Sequence, residues 1–152
     1  MITQNIAIEN ARIIFRNFAG EASQFNARGD RNFCVLIDND AAPALANDGW
    51  NIRYLKPKDP DEQPQAYLKV KVNFGQVPPT CLLITSKNKK RLTEDNIDVL
   101  DWAELKQVDL IIRPYNWEVN GKSGVKAYLK SGYFTIIEDE FASKYEDLPS
   151  GE

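Results

Sequence analysis

Aromatic and positively charged side chains alternate along three segments that are predicted to be β-strands. Because successive side chains of a strand point to opposite faces, residues two apart share one face. Along residues 66–74, 108–118 and 125–137 the polar faces carry Tyr67, Lys69 and Lys71; Arg113, Tyr115 and Trp117; and Lys126, Tyr128 and Lys130. Such faces could stack flat bases on their rings and attract phosphates with their cations.

The last two of these segments are joined by a strong turn signal. Asn120-Gly121 is typical of the tight turns that connect antiparallel strands. If the segments pair through this turn, Trp117, Tyr115 and Arg113 lie across from Lys126, Tyr128 and Lys130, in one continuous patch. The same rings could instead be amphipathic packing residues beneath a loop, with the lysines as ordinary solvated positions.

A further group of cations lies in residues 86–91, whose sequence is SKNKKR. The run falls between two predicted elements, so we interpret it as a basic turn. A mobile basic loop can clamp a phosphate backbone, although most surface charge runs only keep a protein in solution. The candidate contacts in this loop are Lys87, Lys89, Lys90 and Arg91.

Residue types that serve catalysis are scarce. The sequence has no histidine, which removes the commonest general base and the commonest nitrogen ligand of zinc. Asp98 and Asp101 stand three apart and could bind a metal from one helix face, with Glu104 and Asp109 nearby. Acidic residues in a first helical turn also favour the helix dipole without any metal. We therefore expect a protein without catalysis, metal or cofactor, and a magnesium-dependent nuclease is the enzymatic alternative.

The two cysteines, Cys34 and Cys81, both lie inside apolar runs. Buried thiols are therefore expected rather than a disulfide framework, which favours a reducing compartment. Residues 1–15 lack the basic region and continuous apolar stretch of a signal peptide. The chain also has no stretch approaching the roughly 18 uninterrupted apolar residues of a membrane span. A soluble protein of the cytoplasm is the expectation.

Charge is distributed unevenly along the chain. Residues 138–152 hold six acids and one lysine, a charge of −5, which leaves +2 of the overall −3 for residues 1–137. The 152 residues, 43% of them hydrophobic, suffice for one domain with a real core. The predicted organisation is a nucleic-acid-binding domain over residues 1–137 and an acidic tail over residues 138–152.

Strands dominate the predicted secondary structure. The alanine-rich residues 39–48, with Pro43 in the first turn and Gly49 at the end, predict one short helix. Residues 95–105, which follow the capping residue Thr93, predict a second. Six or seven short strands with frequent turn signals favour a small closed barrel over a sandwich. The predicted strands span residues 6–18 (one strand or a pair), 31–37, 50–56, 66–74, 80–85, 108–118 and 125–137.

Sequence runs over about residues 10–140 resemble proteins of a known family. They are packing and turn patterns: GDRNFCVLID (29–38), GW (49–50), AYLKVKV (66–72), LDWAEL (100–105), VDLIIRPYNW (108–117) and NGKSGVKAYLKSGYFTI (120–136). They resemble the OB-fold single-stranded DNA-binding proteins of tailed bacteriophages and prophages. The resemblance implies a role in phage DNA replication or recombination and, for a phage-encoded protein, the host cytoplasm as its location.

The same resemblance implies a use for the acidic tail. Proteins of this family commonly end in an acidic segment that contacts replication partners, with an aromatic residue at or near the last position. Here the segment contains Phe141 and Tyr145 but finishes with LPSGE. The implied partners are single-stranded DNA and replication or recombination proteins.

The expected function is sequence-tolerant binding of single-stranded DNA. The expected fold is mainly β, an OB-fold-like barrel that is small and closed or partly open, with one or two short helices and the acidic C-terminal tail. A non-catalytic protein-interaction module, such as a phage accessory or host-takeover factor, is the alternative, because interfaces also enrich Tyr, Trp and Arg. Salt separates the two, since counterion release weakens only nucleic-acid binding steeply. An oligomer is compatible with either.

Overall fold

A computed structural model describes residues 4–75 and 77–137 of the protein. Strands are the main element, with one short α-helix and one 3₁₀ helix. In chain order the elements are β1 (Ile6–Ile8), β2 (Ile13–Asn17), β3 (Asn32–Leu36), α1 (Ala42–Asn47), β4 (Ile52–Leu55), β5 (Gln65–Lys71), β6 (Thr80–Ile84), β7 (Lys89–Leu92), the 3₁₀ helix (Ile97–Asp101), β8 (Leu105–Val119) and β9 (Lys122–Ile136).

The strands form one curved sheet in the order β1-β8-β9-β5-β3-β2. The β5 and β9 strands run parallel to each other. The β4 strand pairs with residues 65–68 of β5, and β6 of the β6–β7 hairpin pairs with residues 131–135 of β9. The two end strands, β1 and β2, are consecutive parts of the chain, and Ala11 between them donates its N–H to the Val108 carbonyl. Among the described residues β1 and β2 are not paired with each other, so the barrel is partly open, the second of the two predicted forms.

The core lies on one face of this sheet. On β5, Ala66, Leu68 and Val70 are buried while Tyr67 and Lys69 project from the opposite face, so the predicted alternation is confirmed. The fully buried rings of Phe18, Phe33 and Phe134 complete the core, with the first two stacked at 5.0 Å between centroids. Burial of these apolar side chains is the main favourable term that holds the sheet in shape.

The hairpin of β8 and β9 is the longest feature, with 15 residues in each strand. Asn120 and Gly121 at its turn have φ of 53° and 79°, values that Asn and Gly tolerate better than other residues. The predicted turn is therefore confirmed. The predicted pairing is displaced by two residues, because Arg113 faces Tyr128 rather than Lys130 and Tyr115 faces Lys126 rather than Tyr128. Trp117 faces Gly124 rather than Lys126. A register shift between Ile111 and Ile112 places Lys130 at a bulge in β9.

Two predictions about the secondary structure need correction. Nine strands are described rather than six or seven, because residues 6–18 contain both β1 and β2 and residues 89–92 form β7 where a basic turn was predicted. The predicted helix over residues 95–105 is only the 3₁₀ helix, whose Asp101 carboxylate accepts the backbone N–H groups of Phe18 and Ala19. The helix predicted over residues 39–48 is confirmed as α1. Over the residues that the structure describes, none of the helices has the length and apolar character to cross a membrane.

Candidate nucleic-acid interface

One row of side chains crosses three strands on the face opposite the core. Lys71 of β5 is in register with Tyr128 of β9, which is in register with Arg113 of β8. The Arg113 guanidinium carbon lies 4.9 Å from the centroid of the Tyr128 ring, a cation–π distance. The Tyr115 ring meets the Tyr128 ring edge to face, with 5.7 Å between centroids. The Tyr128 ring therefore stands at the centre of the row, between an aromatic neighbour and a cationic one.

Two further cations extend this row into a surface. Lys126 is paired with Tyr115, and Lys69 precedes Lys71 by two residues on the same face of β5. Both lysines are exposed. We call this surface the aromatic-basic face; its members are Tyr67, Lys69, Lys71, Arg113, Tyr115, Lys126 and Tyr128.

The cations of the face differ in how freely they can meet a phosphate. Lys71 lies 3.9 Å from the Asp30 carboxylate, with both side chains about one third exposed (33% and 29%). Arg113 is held by the Tyr128 ring, and its buried Nε has no hydrogen-bond partner within the described part of the chain. The charge of Lys71 is thus partly offset by a carboxylate. The charge of Arg113 is positioned instead by an aromatic ring.

The other end of the face holds a second aromatic pair. Tyr67 of β5 meets Phe15 of β2 edge to face at 6.2 Å between centroids, and it is in register with Arg53 of β4. Phe15 and Arg53 are exposed. Neither was among the residues predicted from the sequence. An alternating pattern could have placed Arg53 on a strand face, but nothing local shows that β4 lies beside β5.

A buried thiol lies on the same face between these two ends. Cys34 of β3 is in register with Lys69 and with Ile14, and only 6% of it is exposed. Burial raises the pKa of the Cys34 thiol, and the charges of Lys69 and Arg53 oppose that rise. Both cations therefore lie close enough to Cys34 to affect it, and the prediction of buried free thiols is confirmed for Cys34 and Cys81.

Trp117 extends the face toward the tip of the β8–β9 hairpin. It is in register with Gly124, and a Cβ atom at Gly124 would lie only 2.8 Å from the Trp117 ring. The indole therefore lies directly on the backbone of β9 and needs a glycine beneath it. Its ring is half-buried, while Tyr115, two residues earlier, is 50% exposed.

Five of the predicted contact residues lie outside this face. Lys130 lies at the bulge of β9, beyond the Tyr128 row. The β6 strand of the β6–β7 hairpin pairs with residues 131–135 of β9. The cations of this hairpin therefore lie beside the part of β9 that follows Tyr128. Residues 85–88 form the turn of this hairpin and include Lys87, while the other three cations of the segment lie on β7. The residues concerned are Lys130, Lys87, Lys89, Lys90 and Arg91.

Two of the four carboxylates considered for metal binding, Asp101 and Asp109, have other contacts. Asp101 accepts two backbone N–H groups, and Asp109 accepts the backbone N–H of Asn10 and the side-chain amide of Gln107. In residues 4–75 and 77–137 there is no group of three His, Cys, Asp or Glu placed to hold a metal ion. These carboxylates therefore support loops and strand ends in the structure.

The partly open β-barrel thus carries a face of aromatic rings and cations, an arrangement typical of proteins that bind single-stranded nucleic acid. The model of the phage ssDNA-binding domain family matches residues 1–152. The chain belongs to this family, which confirms the resemblance found in the sequence. No curated protein sequence matches the chain.

Solved structures of phage proteins share the fold. The single-stranded DNA-binding protein from bacteriophage Enc34, in complex with ssDNA, has a TM-score of 0.56 at 13% sequence identity, over 90% of this chain and 89% of that chain. A second structure of the Enc34 protein has a TM-score of 0.55 at 13% identity, over 94% of this chain and 90% of that chain. The prediction of a mainly β, OB-fold-like barrel is thereby confirmed.

Proposed function

We propose that this protein binds single-stranded DNA with little sequence preference and supports phage DNA replication or recombination. The observation that carries the proposal is the row of Lys71, Tyr128 and Arg113, with Tyr115 against the central ring. Exposed rings can stack on any base, and cations meet the phosphates on either side. A similar fold in a phage protein bound to ssDNA supports the proposal.

The face favours single strands over duplex for a geometric reason. Bases in a duplex have their flat surfaces covered by neighbouring pairs, so the rings have nothing to stack on. Reading base edges in a groove needs an inserted helix or ribbon with bidentate side chains, and the face offers rings and cations instead. The proposed binding requires no catalysis, metal or cofactor. We also propose that the protein acts in the cytoplasm of the host cell.

Salt dependence gives the test of this proposal. If Arg53, Lys69, Arg113 and Lys126 each meet a phosphate, log affinity should fall against log salt with a slope of about −3. Affinity for a labelled oligonucleotide, measured by fluorescence anisotropy, should then drop roughly 50-fold between about 50 and 200 mM salt. Unlabelled single strand should displace the probe and duplex should not. Tight binding of duplex with an affinity that does not change with salt would overturn the proposal. Binding of another protein, without binding of DNA, would favour a protein-interaction module.

The acidic tail is proposed as a separate part of the protein. Residues 138–152, with Phe141 and Tyr145, lie outside the described residues, and the described chain ends at Ile137, whose N–H donates to the Glu104 carbonyl. We propose that residues 1–137 form the DNA-binding domain and that the tail contacts replication or recombination proteins.

Removing residues 138–152 should strengthen binding to single-stranded DNA at low salt. The segment carries −5 and competes with phosphates for the same cations. At about 0.5 M salt, where screening is strong, the difference should vanish. A full-length variant with every acid of the segment changed to its amide should behave like the truncated chain. Unchanged affinity in both variants at low salt would show that the tail does not compete with DNA.

A further inference from the structure

Phe15 lies in an irregular part of β2. Its φ is +50°, a left-handed value that is rare for a bulky residue, and the register with β3 shifts between Ile14 and Asn17. The side chain is 61% exposed. Backbone conformations of this kind raise the energy of the folded chain and often occur where a side chain must be aimed at a ligand.

The irregularity decides which face of the sheet receives the Phe15 ring. Ile13 is in register with Val35 of the core, and Ile14 is in register with Cys34 on the outer face. In a regular strand Phe15 would follow onto the core face. Instead its ring stands against Tyr67, 6.2 Å away, so the bulge adds an aromatic ring to the outer face.

Cations flank this second aromatic pair as they flank the first. Arg53 is in register with Tyr67, and Lys69 lies two residues beyond Tyr67 on the same face. The pair therefore repeats the arrangement around Tyr128, where Tyr115 and Arg113 are the neighbours.

Beyond Phe15 the surface changes sign. A groove there is lined by Phe15 and Trp102 together with Glu21, Asp98 and Asp101. The Arg16 guanidinium, also in the groove, is bound to the carbonyl oxygens of the 3₁₀-helix region. Three carboxylates against one cation make this groove unfavourable for a phosphate backbone.

We propose that Phe15 is a base-stacking residue and that it forms the last aromatic platform of the single-strand path, which runs from the β8–β9 hairpin across β5 to β2. The inference rests on the proposed function, because it extends the same site. The bound DNA strand makes its last contact at Phe15, because the negatively charged groove lies beyond this residue.

Phe15→Asn gives the test, measured on the full chain with a labelled single-stranded oligonucleotide long enough to cover the face. Asparagine adopts positive φ readily, so the variant removes the ring and relieves the backbone. Affinity should fall about tenfold, while the melting temperature should not fall by more than about 2 °C. Phe15→Tyr keeps a ring and should bind like the parent protein.

Trp102→Ala is the matched control, since Trp102 is 74% exposed and lines the same negative groove as Phe15. It should leave affinity unchanged. An equal loss of affinity with Trp102→Ala would show that the DNA path does not end at Phe15. Unchanged affinity with Phe15→Asn would show that Phe15 does not stack on a base. If the parent protein binds single strands and Tyr128→Ala weakens it, a failure at Phe15 concerns this inference alone. If the parent protein does not bind single strands, the proposed function itself fails.

Discussion

Tyr128→Ala should weaken binding to single-stranded DNA by roughly 3 kcal/mol, the upper end of the range for one stacked base. Tyr128 stands at the centre of the aromatic-basic face, with the Tyr115 ring 5.7 Å away and the Arg113 guanidinium 4.9 Å from its centroid. Removing the ring deletes one stacking surface and leaves Arg113 without its support. The slope of log affinity against log salt should stay nearly the same, because the substitution removes no charge.

Two variants define what the loss at Tyr128 means. Tyr128→Phe keeps the ring and should retain most of the affinity. Trp117→Ala should cost about 1 to 2 kcal/mol, less than Tyr128→Ala, because the indole already lies half-buried on Gly124. Circular dichroism and thermal melting should accompany each titration. If Trp117→Ala unfolds the protein while Tyr128→Ala binds normally, the rings serve the fold and the face is not a nucleic-acid platform.

The central part of this face could be predicted from the sequence because its determinants are local. The alternation along β5 assigns Tyr67 and Lys69 to one side, and the turn at Asn120-Gly121 fixes which residues of β8 and β9 meet. Pairing counted outward from the two turn residues gives Arg113 opposite Tyr128, so the predicted pairing of Arg113 with Lys130 was wrong by two residues although the face was right.

Residues outside the local pattern were missed for a physical reason. Arg53 joins the face only because β4 pairs with β5, a contact between segments joined by a polar connection. Phe15 joins it only because a bulge reverses its side, which the alternation of β2 would not allow. Such placements follow from long-range pairing and from backbone irregularity rather than from spacing.

The wrong prediction over residues 86–91 has a similar origin. The whole segment was interpreted as a basic turn, yet Lys89, Lys90 and Arg91 are in register with residues 82–84 of β6. An apolar neighbouring strand supplied the hydrogen-bonding partner, and charged side chains are common on an edge strand because they discourage further pairing. The sequence left open whether the barrel is closed or partly open, because closure depends on whether β1 and β2 pair, which no local signal reports.

Substitution of single cations should separate phosphate contacts from cations that lie elsewhere. Lys126→Ala should lower the magnitude of the salt slope by about 0.7 to 1, because one phosphate contact and its released counterion are lost. Arg113→Ala should lower it similarly and also weaken binding at high salt, since the guanidinium supports the Tyr128 ring. Titrations at four or more salt concentrations between about 50 and 200 mM give each slope.

Lys71→Ala and Lys90→Ala test the geometry behind these values. Lys71 already lies 3.9 Å from Asp30, so its loss should change the slope less than the loss of Lys126 does. Lys90 on β7 carries the same charge but lies in a hairpin that pairs with β9 beyond the Tyr128 row, so Lys90→Ala should leave the slope unchanged. Equal decreases for Lys90 and Lys126 would mean that DNA responds to the overall charge of the protein rather than to the aromatic-basic face. A decrease confined to Lys126 and Arg113 would locate the phosphates along the β8–β9 hairpin, beside the rings on which the bases stack.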